Sequence, residues 1–376
     1  MNLCLDARTA TSGFPGIGRY VKNLARALPP ELHPDEELLL FHDPEQASSW
    51  IHDLVSDHGC KSSLVTGSPF SLVQQWRIPR LLRKDGAGLY HSPYYLMPYR
   101  PGIPTVLTVY DLIPLHFPQF VSARARLLFR LVMSLALGAA DQVIAISEAT
   151  RQDLQRAFRL PQEKIQVIPL AAEQNFGPPT AGEIQRVRSK YNLPEEYVLY
   201  LGINKPHKNL AGLVKAWAYL AHQRPPGNEK LVIAGAWDPR YPQVKQLATR
   251  LNLTQAIIFL GSIPDTDLPA LYGAARLFVF PSFYEGFGLP VLEALSCGTP
   301  VACSHASSLP EVAGEAAVYF DPAGSDRIAE SLARILKDEA LREDLSVRGL
   351  EQARKFSWRR TAQRTLQVYR QARISD

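Results

Sequence analysis

The sequence predicts an α/β protein made of two parallel-sheet domains, and three observations carry that prediction. Short apolar runs of strand length alternate with amphipathic helical patterns in both halves of the chain, and strands that alternate with helices belong to parallel sheets. At 376 residues the chain is too long for one ordinary core. Between the halves, residues 173–196 are polar, contain Gly177-Pro178-Pro179 and break the strand rhythm. The expected organisation is a first domain over 1–172, a linker over 173–196, a second domain over 197–355 and a basic amphipathic helical segment over 356–376.

The elements follow in order. A strand at Asn2–Leu5 leads through a loop punctuated by Gly13, Gly16 and Gly18 to a helix from about Arg19. There Val21, Leu24, Ala25 and Leu28 recur on one face. The loop is not the dinucleotide fingerprint, because the third residue past Gly18 is Val21 rather than glycine. Tyr90-His91-Ser92-Pro93 ends one strand, so His91 could face a ligand, although a lone histidine is more often structural. Thr105–Val109 and Gln142–Ile146 are further strands, and Ser147 caps the helix after the second.

In the second half the strands are Tyr197–Leu201, Leu231–Ala234, Ile257–Leu260, Leu277–Phe280 and Val301–Cys303. Ligands bind beyond the carboxyl ends of such strands, and two such domains facing each other would enclose a cleft. Lys208 follows the first of these strands, where a cation would stabilise charge developing on an anionic leaving group. The alternative is a solvated surface lysine.

Residues 281–300, PSFYEGFGLPVLEALSCGTP, are the most informative stretch. Leu289 to Ser296 reads as a helix, with Pro290 near its first position and Gly298 just past its end. Gly286 and Gly288 allow close backbone approach and leave the first helical amides free, as at a helix N-terminus that attracts phosphate. Glu285 before the turn and Glu293 one turn into the helix are badly placed for phosphate but well placed to accept hydrogen bonds from hydroxyls on either side of a diphosphate. The stretch reads as a nucleotide-sugar site with one acid for each sugar ring.

Composition excludes several classes. The 46% hydrophobic content is that of a globular protein. No apolar run approaches the roughly 18 residues that span a bilayer, and Met1–Ala7 lacks the pattern of a signal peptide. Cys4, Cys60, Cys297 and Cys303 show no metal spacing and read as buried thiols. The expected location is cytoplasmic, with peripheral contact at the inner face of the cell membrane as an alternative. The net charge of +5 is interspersed and no basic run has aromatic interleaving, so no nucleic-acid partner is expected.

The chain resembles the retaining glycosyltransferases of family 4, enzymes of GT-B fold. Their signature E-G-F-G-L-P-x-x-E-A-x-x-x-G-x-P-V runs from Glu285 to Val301. Matches continue at Ser307–Pro322, Tyr197–Leu210, Leu231–Gly235, Val109–Leu115 and Gly16–Tyr20, in family order. The resemblance implies two Rossmann-like domains facing across a cleft, the first binding acceptor and the second donor, with the last helix crossing back to the first.

It also implies roles. Lys208 and the amides of Phe287, Gly288 and Leu289 hold the donor diphosphate. Glu285 positions the donor sugar, Glu293 takes the ribose hydroxyls, and Gly16 lies against the phosphates. Arg19, His91 and Tyr110 are candidate acceptor contacts. The family usually carries His-Asp-Leu where this chain has Tyr110-Asp111-Leu112. Asp111 is retained as a catalytic candidate beside Glu285 and Lys208, while Tyr110 is a poor base near neutral pH. Many members carry arginine where Ile203 stands; this chain is closer to a subset with G-T-x-E-P-R-K-N, which leaves Lys205 or His207 to supply a second positive group.

The expected chemistry is transfer with retention, the departing diphosphate accepting the acceptor's proton. No cofactor or metal is expected, because cationic and amide donors already cover the phosphates. The N-K-P-H-K-N variant resembles a subset associated with mannose transfer, so GDP-mannose is favoured over UDP-glucose or another UDP-sugar. The acceptor expected is a glycan or lipid-linked glycan in polysaccharide biosynthesis. Trp76–Lys84 and Arg124–Arg130 mix cations with bulky apolar groups, consistent with peripheral membrane contact or with ordinary amphipathic packing. Other classes consistent with the residues are a nucleotide-sugar epimerase, a phosphorylase or a non-catalytic nucleotide-sugar sensor.

Overall fold

The structure is a computed structural model that describes residues 1–11, 13–43, 49–223 and 229–374. The chain forms two compact units, one of Met1–Leu170 with the segment from Ser357, the other of Ala171–Phe356.

The first unit is built on seven strands: β1 (Asn2–Asp6), β2 (Glu37–His42), β3 (Lys61–Leu64), β4 (Ala87–Ser92), β5 (Thr105–Val109), β6 (Gln142–Ala145) and β7 (Ile165–Val167). They pair in parallel in the order β3-β2-β1-β4-β5-β6-β7. The order reverses between β1 and β4, and a crevice opens at the carboxyl ends of strands at such a switch point. The central strand β5 is buried along its whole length, as both faces of a parallel sheet are covered. β3 is a polar edge strand with three of four residues exposed, which is why no apolar run marks it.

The helix Pro15–Ala27 starts four residues before the expected Arg19, because Pro15 takes a first-turn position where no amide donor is needed. Gly16 therefore lies in the helix, not in a loop. Gly18 packs so closely that a Cβ would stand 3.2 Å from the Thr11 carbonyl oxygen.

The helix Trp358–Ile374 completes this unit. Ala362, Thr365, Leu366, Val368, Tyr369 and Ala372 are buried along it. Its polar side is tied down as well: Thr361 donates to the Pro169 carbonyl at 2.8 Å, Arg364 to the Val167 carbonyl at 2.6 Å and Arg370 to Glu36 at 2.8 Å.

The second unit has six strands: β8 (Tyr197–Leu201), β9 (Lys230–Ala234), β10 (Ile257–Gly261), β11 (Leu277–Phe280), β12 (Val301–Ser304) and β13 (Ala317–Phe320). All pairings are parallel, in the order β10-β9-β8-β11-β12-β13. The switch point lies between β8 and β11.

Residues 173–196, expected as a linker, contain the helix Ala181–Tyr191, which belongs to this unit. A capping box starts it: Thr180 Oγ1 accepts from the Glu183 amide while the Glu183 carboxylate accepts from the Thr180 amide. Arg186, Lys190 and Tyr191 all donate to the buried Asp267 at 2.6–2.7 Å. Sequence periodicity missed it because only Val187 faces the interior; the helix is held by charge.

Candidate active site

The second unit brings Lys208 and Glu285 together. Lys208 sits in the short turn after β8, and Glu285 in the turn after β11, so the two flank the switch point from adjacent strands. Lys208 Nζ donates to both Glu285 carboxylate oxygens at 2.7 Å. The side chains are only 17% and 9% exposed, and the ammonium lies 5.5 Å from the Phe280 ring centroid. A cation and an anion therefore stand together out of bulk water, and an added phosphate would have to share the Lys208 ammonium with Glu285.

The turn that carries Glu285 is clamped by two serines. Ser307 Oγ accepts from the Glu285 amide and donates to its carbonyl, both at 2.8 Å. Ser308 Oγ donates to the carbonyls of Glu285 and Phe287 at 2.9 and 2.8 Å. Gly288 closes the turn with φ of 105°, and a Cβ there would meet Leu309 Cδ2 at 2.6 Å. The helix Leu289–Ser296 follows with no side-chain cap and Pro290 in its first turn. That arrangement, carried by Gly286, Phe287, Gly288 and Leu289, fits an anion.

Glu293 lies on the buried face of the same helix, 1% exposed, and Tyr272 donates to its Oε2 at 2.9 Å. Sequence reasoning missed Ser307, Ser308 and Tyr272. The serines head a string that matches the family, but their clamp depends on a fold contact between separate segments.

The expectation that His207 could supply a second positive group needs correction. His207 is buried, and burial with Lys208 and Lys205 nearby lowers its pKa to about 3, so it is neutral and supplies no second positive charge. Lys205 is exposed. Asp265-Thr266-Asp267 is an Asp-x-Asp triplet, a pattern suited to metal-bound phosphate, but Asp267 serves another purpose. Burial would raise its pKa, and Lys190, Tyr191 and Arg186 outweigh burial and hold it well below the usual carboxylate range.

The first unit holds the remaining candidates. Gly16 is exposed in the first helical turn and Arg19 is half-buried on the same helix. Tyr110 and Asp111 follow β5; Asp111 Oδ1 accepts from the Ile113 amide at 3.0 Å. The Tyr110 hydroxyl is buried with no hydrogen-bond partner, its ring edge-on to Tyr20 at 5.5 Å. Burial pushes its pKa well up, so it is a donor and no base.

His91 is not at a ligand surface. It is fully buried, with Nδ1 2.6 Å from the Tyr369 hydroxyl and Nε2 2.8 Å from Thr108 Oγ1, and burial lowers its pKa to about 3. Its work is to tie the last helix to β4 and β5.

A pair of parallel-sheet units, one with a strand–turn–helix carrying two acids eight residues apart beside a lysine, defines a GT-B glycosyltransferase. Residues 183–352 match the model for glycosyl transferases group 1, and residues 15–173 match that for Glycosyltransferase Family 4. O-antigen chain mannosyltransferase B of Escherichia coli is 35% identical over 372 residues, covering 94% of this chain and 96% of that protein. Among solved structures, sucrose-phosphate synthase from Thermosynechococcus elongatus aligns over 100% of both chains with a TM-score of 0.78 and 25% identity. HepE of Anabaena, in complex with UDP and glucose, aligns over 98% of this chain and 99% of its own with a TM-score of 0.77 and 19% identity. The chain belongs to the family 4 glycosyltransferases.

Proposed function

We propose that this enzyme transfers mannose from GDP-mannose, with retention of configuration, to a lipid-linked glycan in polysaccharide biosynthesis. The observation that carries the reading is the Lys208–Glu285 pair at the switch point, beside an uncapped helix start. A diphosphate offers the charge that Lys208 and the amides of Phe287–Leu289 complement, and a sugar hydroxyl would donate to Glu285. Glu293 takes the ribose hydroxyls. As the bond from the anomeric carbon to the diphosphate oxygen breaks, the acceptor oxygen bonds to that carbon on the same face. Its proton passes to the departing phosphate oxygen. Lys208 stabilises the charge left there, so no protein base and no metal is needed. The mannose assignment is supported by the O-antigen mannosyltransferase relative, which aligns along nearly the whole chain.

Membrane contact belongs to the same reading. On the helix Ala123–Ala139, Leu127, Leu128, Leu131 and Leu135 are 45–70% exposed, with Arg124, Arg126 and Arg130 beside them and no acidic residue in the helix. A basic helix with an outward apolar stripe suits the interface of an anionic bilayer. In the other stretch expected to do this, Ile78 and Leu82 are buried. Its exposed apolar surface is Trp76 with the upstream Phe70, Leu72 and Val73.

The decisive assay presents GDP-mannose, UDP-glucose, UDP-galactose and UDP-N-acetylglucosamine singly, with EDTA, and follows nucleoside diphosphate release. Slow GDP release from GDP-mannose alone is expected. Release from a UDP-sugar instead would replace the donor. Tight binding by calorimetry without turnover, even with acceptor, would make the protein a sensor, and conversion of the free sugar nucleotide would make it an epimerase.

A further inference from the structure

The turn that carries Lys208, residues 204–209, opens on a residue to which the family resemblance assigns nothing. In G-T-x-E-P-R-K-N the variable position falls on Asn204. Asn204 is nevertheless only 2% exposed, and its whole amide is used. Nδ2 donates to the carbonyls of Asp238 and Tyr241 at 2.9 and 2.8 Å, and Oδ1 accepts from the Asp238 amide at 2.6 Å. A side-chain amide has two N–H donors, and both are spent on one neighbouring turn.

That turn follows β9 and is closed by its own bonds. The Tyr241 amide donates to the Asp238 carbonyl at 3.1 Å, and the Arg240 amide to Asp238 Oδ1 at 3.0 Å. The Arg240 guanidinium grips the Asp238 carboxylate as well, and those hydrogen bonds hold its pKa down, so the grip persists at neutral pH. Nearer the sheet the two chain segments already touch. The Gly202 amide donates to the Ala234 carbonyl at 3.0 Å, and a Cβ on Gly235, whose φ is 123°, would stand 2.5 Å from the Gly202 carbonyl oxygen. β8 and β9 therefore leave the sheet side by side, and the Asn204 amide supplies further rungs where the backbone ladder has ended.

The consequence falls on Lys208. From Asn204 the chain makes one short turn, in which the Lys208 amide donates to the Lys205 carbonyl at 2.9 Å. Its middle is fixed by the Phe283 amide, which donates to the His207 carbonyl at 2.8 Å. Its far end is fixed by Asn209, left-handed with φ of 56°, whose Nδ2 donates to the Pro322 carbonyl at 2.7 Å. Asn204 fixes the near end. An ammonium that must serve both Glu285 and a phosphate tolerates little displacement, since small misplacements of a positioned group are costly.

We infer that Asn204 is a positioning residue for the reaction: it anchors the start of the Lys208 turn to the loop after β9 and so sets where the ammonium stands. Both of its donors go to that loop, so it acts through Lys208 and not on the donor itself. The inference rests on the transferase reading for the task of Lys208; the brace does not.

Amide hydrogen exchange on the full chain tests the brace. In Asn204→Ala the amides of Asp238, Lys208 and Asn209 should exchange at least about tenfold faster, with those of β11 unchanged. Calorimetry with GDP, and with UDP in parallel, tests the role. Asn204→Ala should weaken whichever nucleotide the unmodified protein binds about tenfold, the worth of one charge-assisted hydrogen bond. Added to Lys208→Ala, the same substitution should cost less than about twofold more, because the group it positions is gone. Asn204→Ser keeps one donor and should lie between, and it carries both measurements if Asn204→Ala does not fold. Unchanged exchange at Lys208 and Asn209 would overturn the brace. Equal losses with and without Lys208 would make Asn204 merely structural and overturn its role. A protein that bound neither nucleotide would fail the donor reading instead, and the exchange result would still decide whether Asn204 holds the turn.

Discussion

Lys208 and Glu285 neutralise each other at 2.7 Å with little exposure, so substituting one strands the other's charge. Glu285→Gln should lower kcat about 10²–10³-fold with a small change in donor KM, since its proposed hydrogen bond matters most as the sugar–phosphate bond breaks. Glu293→Gln should act on the donor KM, raising it about tenfold. Steady-state kinetics on the identified donor check both, and equal losses in kcat and KM for both variants would refute the division of labour. The Lys208→Ala, Glu285→Gln double variant should lose less than the sum of the single losses. Acid sensitivity is a second consequence at this scale. His91 and His207 have folded-state pKa values near 3 against about 6.5 unfolded, so between those values the unfolded chain binds protons that the folded one does not. Stability is therefore full above about pH 6.5 and falls towards pH 3, by about 1.4 kcal/mol per unit for each histidine. Denaturant titrations at stepped pH should show this, and His91→Gln should be weaker at pH 7.5 yet decline less steeply. The acids and the lysine were legible in the sequence because they stand in a fixed string. The burial of His91 was not, because it follows from β4 being central in a sheet covered on both sides, which depends on strand order.

The strand–turn–helix from Leu277 to Ser296 agrees at every level: an apolar strand, glycine where φ is positive, proline in the first helical turn. That agreement made it readable to the residue, and the helix lies at Leu289–Ser296 as expected. Gly288→Ala combines a left-handed φ with a Cβ 2.6 Å from Leu309, so it should cost about 2 kcal/mol or more and loosen the amides meant for phosphate. Thermal melts and donor binding should both fall; a variant that melts normally would mean the turn can relax. Ser308→Ala should cost about 1–2 kcal/mol through two unmade hydrogen bonds to the same turn, with a raised donor KM. Elements held otherwise were harder to read. β3 is a polar edge strand, and the helix Ala181–Tyr191 is fixed by ions around Asp267, so neither shows the apolar period that marks buried structure.

At the scale of the whole molecule, no helix among the described residues is long and apolar enough to cross a membrane. Under the proposed reading, the exposed basic, leucine-rich helix Ala123–Ala139 is where a lipid-linked acceptor would be met. Arg124→Glu, Arg126→Glu, Arg130→Glu in one variant should abolish co-sedimentation with vesicles containing anionic lipid, and raised salt should weaken the unmodified protein in the same assay. Binding unaffected by either would remove the membrane from the proposal. The two-sheet plan was legible from alternation alone. The assignment of the last helix to the first unit was not readable from its own residues, whose amphipathic pattern says that a face is buried but not where.

That last helix also sets an order of events during synthesis. His91 on β4 meets its partner Tyr369 only after residues 171–356 have been made, and the first unit cannot close until the second has left the ribosome. The sheet that begins the chain must wait with its seam open. A ribosome stalled late in the message would leave the second unit complete and the first without the helix that covers it.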